Sequence, residues 1–200
     1  MSGRRRRSGP LGLACVAAIG FAVAVSAEPF VPSDDAVVLE RLPAATDRRI
    51  ARTRGLAQEL ATRPDDATLR VALAETFLDL ARSEADPRFV GRAQGALGPL
   101  WTAGTLPPPA RLARASVRQA QHDFAGALVD IDMLLAEQPD DLQALLEQAT
   151  LRELRGDPAG AEASCAQLAR LRPGLLAQAC FASARSLRGH AEASYAALAA

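Results

Sequence analysis

The sequence contains no lysine and no asparagine, and aromatic residues fill only 4% of its 200 positions. Each shortage removes a class of chemistry. Without lysine there is no Schiff-base amine and no Walker lysine; without asparagine there is no N-glycosylation acceptor. One Trp, one Tyr and six Phe leave few flat faces on which a sugar ring or a base could stack. Neither G-x-S-x-G nor H-E-x-x-H occurs. His122 and His190 stand without a clustered third ligand, which makes a poor metal site. Gly91, Gly95 and Gly98 follow no strand, so a dinucleotide fingerprint is set aside and their spacing is read as serving close helix approach. The expectation is a protein that is not an enzyme and carries no cofactor and no metal.

What remains strongly favours helix. The chain is 49% apolar, rich in Ala, Leu and Arg, and poor in β-branched residues. Its length is ample for a buried core, and its propensities point to an all-α protein throughout. Every one of its 23 basic residues is arginine.

The first 27 residues read as an export signal. Arg4 to Arg7 make a charged start, Leu11 to Val25 an apolar run, and Val25-Ser26-Ala27 a small-residue cleavage pattern. An apolar run of fifteen residues, interrupted by Gly12 and Gly20, is shorter than the roughly 20 needed to span a bilayer. Residues 1–27 hold four arginines and no acid, leaving 19 Arg against 23 Asp and Glu in the remainder, a formal charge of −4. With acids interspersed among the arginines, there is no basic stripe for nucleic acid. No second apolar segment follows. The mature product is expected to be periplasmic or secreted, without a membrane span.

Residues 28–44 form a flexible, proline-punctuated lead-in, and residues 45–64 a helix with Ile50, Leu56 and Leu60 on one stripe, ended by Pro64. Beyond it the chain repeats itself. "HDFAGALVDIDMLLAEQPDD" (122–141) and "GDPAGAEASCAQLARLRPGL" (156–175) superpose at a shift of 34, matching Asp123 to Asp157, Ala127 to Ala161 and Pro139 to Pro173; upstream, Ala115 matches Ala149. A fixed period of this size marks a stacked supersecondary unit. The unit is two helices: helix A, a tight Gly-Asp turn, helix B, and a proline that stops it. The tripeptide Arg155-Gly156-Asp157, an adhesion motif in isolation, is thereby a turn in which Gly relieves the backbone and Asp caps the next helix.

This pattern resembles the tetratricopeptide repeat. Counting from Pro108 puts His122, Phe124, Ala127 and Pro139 at repeat positions 15, 17, 20 and 32, with Ala115 at position 8; counting from Leu142 puts Gly156, Pro158, Ala161 and Pro173 there, with Ala149 at 8. The family's Trp at position 4 is replaced by Arg111 and Leu145. The resemblance implies an α-solenoid of antiparallel helix pairs. An earlier unit, 65–107, fits if seven extra residues lie in its A-to-B turn, with Ala74 at position 8 and Ala93 at position 20. Its "DPRFVGRAQGALGPLW" also resembles a segment of bacterial exported repeat proteins. Units 108–141 and 142–175 follow, then a partial one, 176–200, which is expected to be cut short.

In that frame His122 and His190 share the turn position, and Cys165 and Cys180 lie on helices that pack together. An exported compartment permits a disulfide between them, the alternative being two small buried thiols. Asp123, Asp130 and Asp132 read as solvated surface charge around one helix B. The family's concave wall, made mainly by helix A, corresponds to Val71, Glu75 and Asp79; Leu112, Ser116 and Gln119; and Gln143, Leu146, Thr150 and Glu153. It suits an extended peptide or a helix. It is not the carboxylate clamp of cytosolic chaperone cofactors, which relies on Lys and Asn. The function expected is an exported scaffold that binds a protein or peptide partner in this groove, in aid of assembling an envelope complex. A cell-wall-associated regulator or glycan-binding accessory, and the non-catalytic part of a longer protein, are the alternatives. No motif names the partner or the oligomeric state.

Overall fold

The computed structural model describes residues 31–34, 36–37 and 48–199. The expected export signal at 1–27 and most of the lead-in lie outside them. The chain divides into two compact units, Met1–Leu42 and Pro43–Ala200. In the first, the described residues form an exposed turn in which the Val37 N–H donates to the Asp34 carbonyl at 3.2 Å.

The second unit is α1 (Arg48–Thr62), α2 (Ala67–Glu84), α3 (Arg88–Leu97), α4 (Pro108–Ala120), α5 (Phe124–Glu137), α6 (Leu142–Leu154), α7 (Pro158–Leu171), α8 (Leu175–Arg185) and α9 (Ala191–Ala199). A 3₁₀ turn, Gly98–Trp101, follows α3, and a π turn, Ser186–His190, joins α8 to α9. The described residues contain no strand. Successive helices pack on one another, and in addition α2 packs on α4 and α6 on α8. The result is an all-α solenoid of antiparallel helix pairs.

Local chemistry sets these boundaries. Asp66, Asp123, Asp141 and Asp157 each cap a helix by accepting backbone N–H bonds, for example from Ala144 at 2.9 Å and Gly160 at 2.8 Å. Pro108 and Pro158 open α4 and α7, where a missing N–H costs nothing. Each A-to-B connection contains one residue with positive φ: Ala85 (51°), His122 (64°), Gly156 (77°) and Gly189 (88°). The last departs from the sequence reading. In the fourth pair the left-handed residue is Gly189 and not His190, because Gly adopts that conformation without a Cβ penalty and the flanking π turn shifts the register by one.

The first pair also differs from expectation. The connection between α2 and α3 is three residues, Ala85–Pro87, as short as those of the next two pairs; five of the seven extra residues lie in α2 itself, which runs 18 residues against 13 in α4 and α6, and two at the start of α3, ahead of Ala93. The segment Ala81-Arg82-Ser83-Glu84 contains no breaker, so the helix continues to the Asp86-Pro87 pair. The glycine reading is likewise revised. A Cβ on Gly91 or Gly95 would meet nothing within 4 Å; only Gly98 has a close neighbour, and that is the Arg70 guanidinium.

Small residues draw each pair together. Ala93, Ala127 and Ala161 on the B helices and Ala74, Ala115 and Ala149 on the A helices are all buried. Larger side chains, among them Leu97, Ile131, Leu134, Leu145 and Leu168, fill the space around them. A buried polar network runs through the same layer. Asp130, 1% exposed, receives Arg114 at 2.6 and 2.9 Å and Arg118 at 2.8 Å, so it is an internal charge, not the surface charge the sequence suggested. Arg114 also donates to the carbonyls of Trp101 and Ala103, tying the pair to its predecessor. Burial of this carboxylate is compensated by its two guanidiniums.

Candidate interaction surface

With one side of every A helix committed to its partner, the opposite stripe is left to face out. Of the residues expected there, Glu75, Asp79 and Gln143 are exposed, and Leu112, Ser116, Gln119, Leu146, Thr150 and Glu153 are half-buried. Val71 does not belong to the wall. It is 7% exposed and sits in the core cluster against which Leu56 and Leu60 of α1 pack. The same cluster takes residues from α3 and α4.

Between α6 and α8 the wall opens into a depression of about 220 Å³, lined by Leu146, Ala149, Thr150, Glu153, Leu176 and Ser183 among others. Ser183 donates to the Glu153 carboxylate at 2.9 Å and so joins the rims. Leu176 and Ser183 are wall residues that the sequence reading did not include, since in its frame they fall at repeat positions 1 and 8, outside the positions it took for the wall.

Two carboxyls on this wall sit above the usual carboxylate range. Glu75 is exposed as a residue, yet partial desolvation of its carboxyl raises its pKa, and neighbouring Asp79 raises it further, while Arg52 on α1 pulls the other way. Burial raises that of Glu147, opposed by the Gln143 amide, at 3.4 Å, and by Arg82. Glu147 was also missed in the sequence; it lies one residue beyond Leu146, and four after Gln143 on the same helix face. Arg82 is on α2 and Glu147 on α6, so for one to act on the other across α4 both must face the same side of the stack. Arg82 itself is paired with Asp79 at 2.7 Å.

A larger cavity, about 500 Å³, lies where α7, α8 and α9 meet. Ala182, Ala193 and Ala197 leave it unfilled, while its charged lining is self-paired: Glu162 takes Arg185 at 3.0 Å and also Arg188, which together hold its carboxyl below the usual range.

Cys165 on α7 and Cys180 on α8 are joined in a disulfide, with Cα atoms 5.6 Å apart. The bond lies in a cluster with Leu145, Ala149, Leu168 and Ala184, and Cys180 itself lines the depression.

No family model matches the chain, and no curated protein matches it. Solved structures do. A crystal structure of the MamA protein superposes with a TM-score of 0.53 over 75% of this chain and 79% of its own, at 13% identity. A second MamA crystal structure gives the same score and identity over 80% and 92%. The fold is a tetratricopeptide-like solenoid. At that identity the likeness extends to the fold alone. Among the described residues of the solenoid, no helix is long and apolar enough to cross a membrane.

Proposed function

We propose that the protein is an exported, non-catalytic scaffold whose solenoid binds a protein or peptide along the helix A wall, in aid of assembling an envelope complex. The observation that carries this reading is the wall itself: apolar side chains at Leu112, Leu146 and Leu176, left incompletely covered, are flanked by the polar groups of Ser116, Gln119, Gln143 and Thr150. An apolar floor with a polar rim is what an extended segment or an amphipathic helix requires. The charged start, short apolar run and Ala27 cleavage pattern support export. A disulfide at Cys165 and Cys180 fits the same oxidising compartment.

The test is cross-linked recovery of partners from envelope extracts, comparing the native protein with a Leu112→Arg and Leu146→Arg variant. Both side chains are half-buried, so the long arginine stems can lie along the surface with their charges in water. Loss of specific partners from the variant is expected. An unchanged set of partners would count against the wall as the binding face.

A further inference from the structure

We infer that the segment received by the wall is cationic and apolar together: a leucine-sized side chain enters the depression between α6 and α8, and Lys or Arg side chains meet Glu75 and Glu147. This deepens the groove reading above and rests on it.

The argument begins with how carboxylates are matched elsewhere. Among the described residues arginine sits on Glu59, Asp79, Asp86, Asp130, Glu137 and Glu162; carboxylates without one, such as Asp65, Asp140 and Glu192, stand exposed in water, and half-buried Glu153 accepts from Ser183. Glu147 has no such pair within 4.0 Å although it is half-buried, and Glu75, an exposed residue of the same wall, has none either, Arg52 acting on it only from farther away. The cation acting on Glu147, Arg82, is already engaged by Asp79. A half-buried carboxylate held only by one amide at 3.4 Å, as Glu147 is, is incompletely compensated, and an incoming cation relieves that penalty in addition to its own attraction.

The same wall supplies an apolar contact. Leu112, Leu146 and Leu176 line it, and the depression of about 220 Å³ admits one aliphatic side chain. Size favours a chain over a small cation. Glu75 and Glu147 stand on helices separated by α4, and with interaxial spacings of 8–10 Å the two lie roughly 20 Å apart. An extended peptide at about 3.3 Å per residue covers that in about six residues. An anionic segment would add charge of the sign already unmatched there.

The experiment is a fluorescence anisotropy titration of the purified protein with two labelled twelve-residue peptides. One carries leucines and arginines in an alanine-glycine background; the other has glutamate in place of each arginine. The arginine peptide is expected to bind at least tenfold more tightly than the glutamate peptide. Glu75→Gln with Glu147→Gln should weaken it about tenfold, and its affinity for the native protein should fall as salt rises. Equal binding of both peptides, lost on Leu112→Ser with Leu146→Ser, would overturn the charge assignment and leave the groove standing. If neither peptide binds, or binding ignores the leucine substitutions, the groove reading falls as well. The salt dependence of the native protein needs no variant, so the inference stays exposed even if a substitution disturbs folding.

Discussion

Arg118 and Arg152, one repeat apart, each donate Nη1 to the carbonyl of the glycine eight residues on, Gly126 at 3.0 Å and Gly160 at 2.9 Å. The same guanidiniums reach Asp130 and Ser164, which are also one period apart, and these in turn bond Arg114 and Gln148. The chain therefore builds one network twice, once ionic and once neutral, at the joint between helices A and B.

That pairing predicts how the joint responds to change. Asp130→Ser alone leaves Arg114, and in part Arg118, charged and unmatched in a buried layer, and should cost about 3–5 kcal/mol, read from urea unfolding. Adding Arg114→Gln imports the neutral arrangement of the next repeat and should recover part of the loss. The recovery is incomplete, because Arg114 also serves the Trp101 and Ala103 carbonyls. If the double variant is as unstable as the additive sum of the two single changes, the two positions are not coupled and this account of the network is wrong.

Much of the fold could be read before any coordinates, and the reasons are local. Asp123 and Asp157 announce helix starts through capping chemistry, Pro139 and Pro173 prevent continuation, and Ala127 and Ala161 recur at the point of closest approach. The pairing of Asp130 with Arg114 was not legible, because a partner sixteen residues away on another helix leaves no mark on local periodicity. Val71 was misplaced for the same kind of reason: the cluster that buries it is assembled from several helices, α1 among them, which stands outside the repeat frame. The extra residues before α3 were assigned to a turn, although no residue in Ala81 to Glu84 obliges the helix to end. Glu147 has the sequence signature of any exposed helical glutamate, and only its packing in the folded stack shows that it is half-buried.

The left-handed turn positions give opposite predictions for two residues. Ala85 adopts φ 51° with its Cβ penalty intact, whereas Gly156 adopts φ 77° free of it and with open space where a Cβ would go. Relief of about 1–2 kcal/mol of strain in Ala85→Gly outweighs the roughly 0.4–1 kcal/mol gained by the unfolded chain. Stability should rise by up to about 1 kcal/mol in Ala85→Gly and fall by a similar amount in Gly156→Ala. Urea midpoints moving in the same direction for both would contradict the turn assignment.

Glu147→Gln should stabilise the protein near neutral pH. Burial raises this carboxyl above its unfolded value, so the ionised form is disfavoured in the native state, and the resulting cost is present above the raised pKa. As pH falls through that pKa toward the unfolded one, the native protein takes up its proton first and the cost disappears. The advantage of the Gln variant over the native protein should therefore be largest near neutrality and vanish below the unfolded pKa of about 4.3. Asp86 and Glu162, both held low by arginine, act in the other direction and are common to the two proteins, so they cancel in the comparison. Parallel stability profiles across the acid range would exclude a burial cost at Glu147.

Reduction should loosen the end of the stack before its middle. The Cys165–Cys180 bond ties α7 to α8 and closes a loop of 15 residues, which the chain-entropy model values at about 3 kcal/mol. Beyond it, α8 and α9 meet α7 around the unfilled cavity of about 500 Å³, so few large side chains replace the constraint once it is gone. The pairs α4 with α5 and α2 with α3 share no residue with the bond and have their own buried clusters. Amide hydrogen exchange after reduction, or in a Cys165→Ser and Cys180→Ser variant, should accelerate across 175–199 while residues 108–134 keep their protection. Uniform acceleration along the whole solenoid would mean that the array unfolds as one cooperative body, and no change at 175–199 would mean that packing alone holds α8 in place.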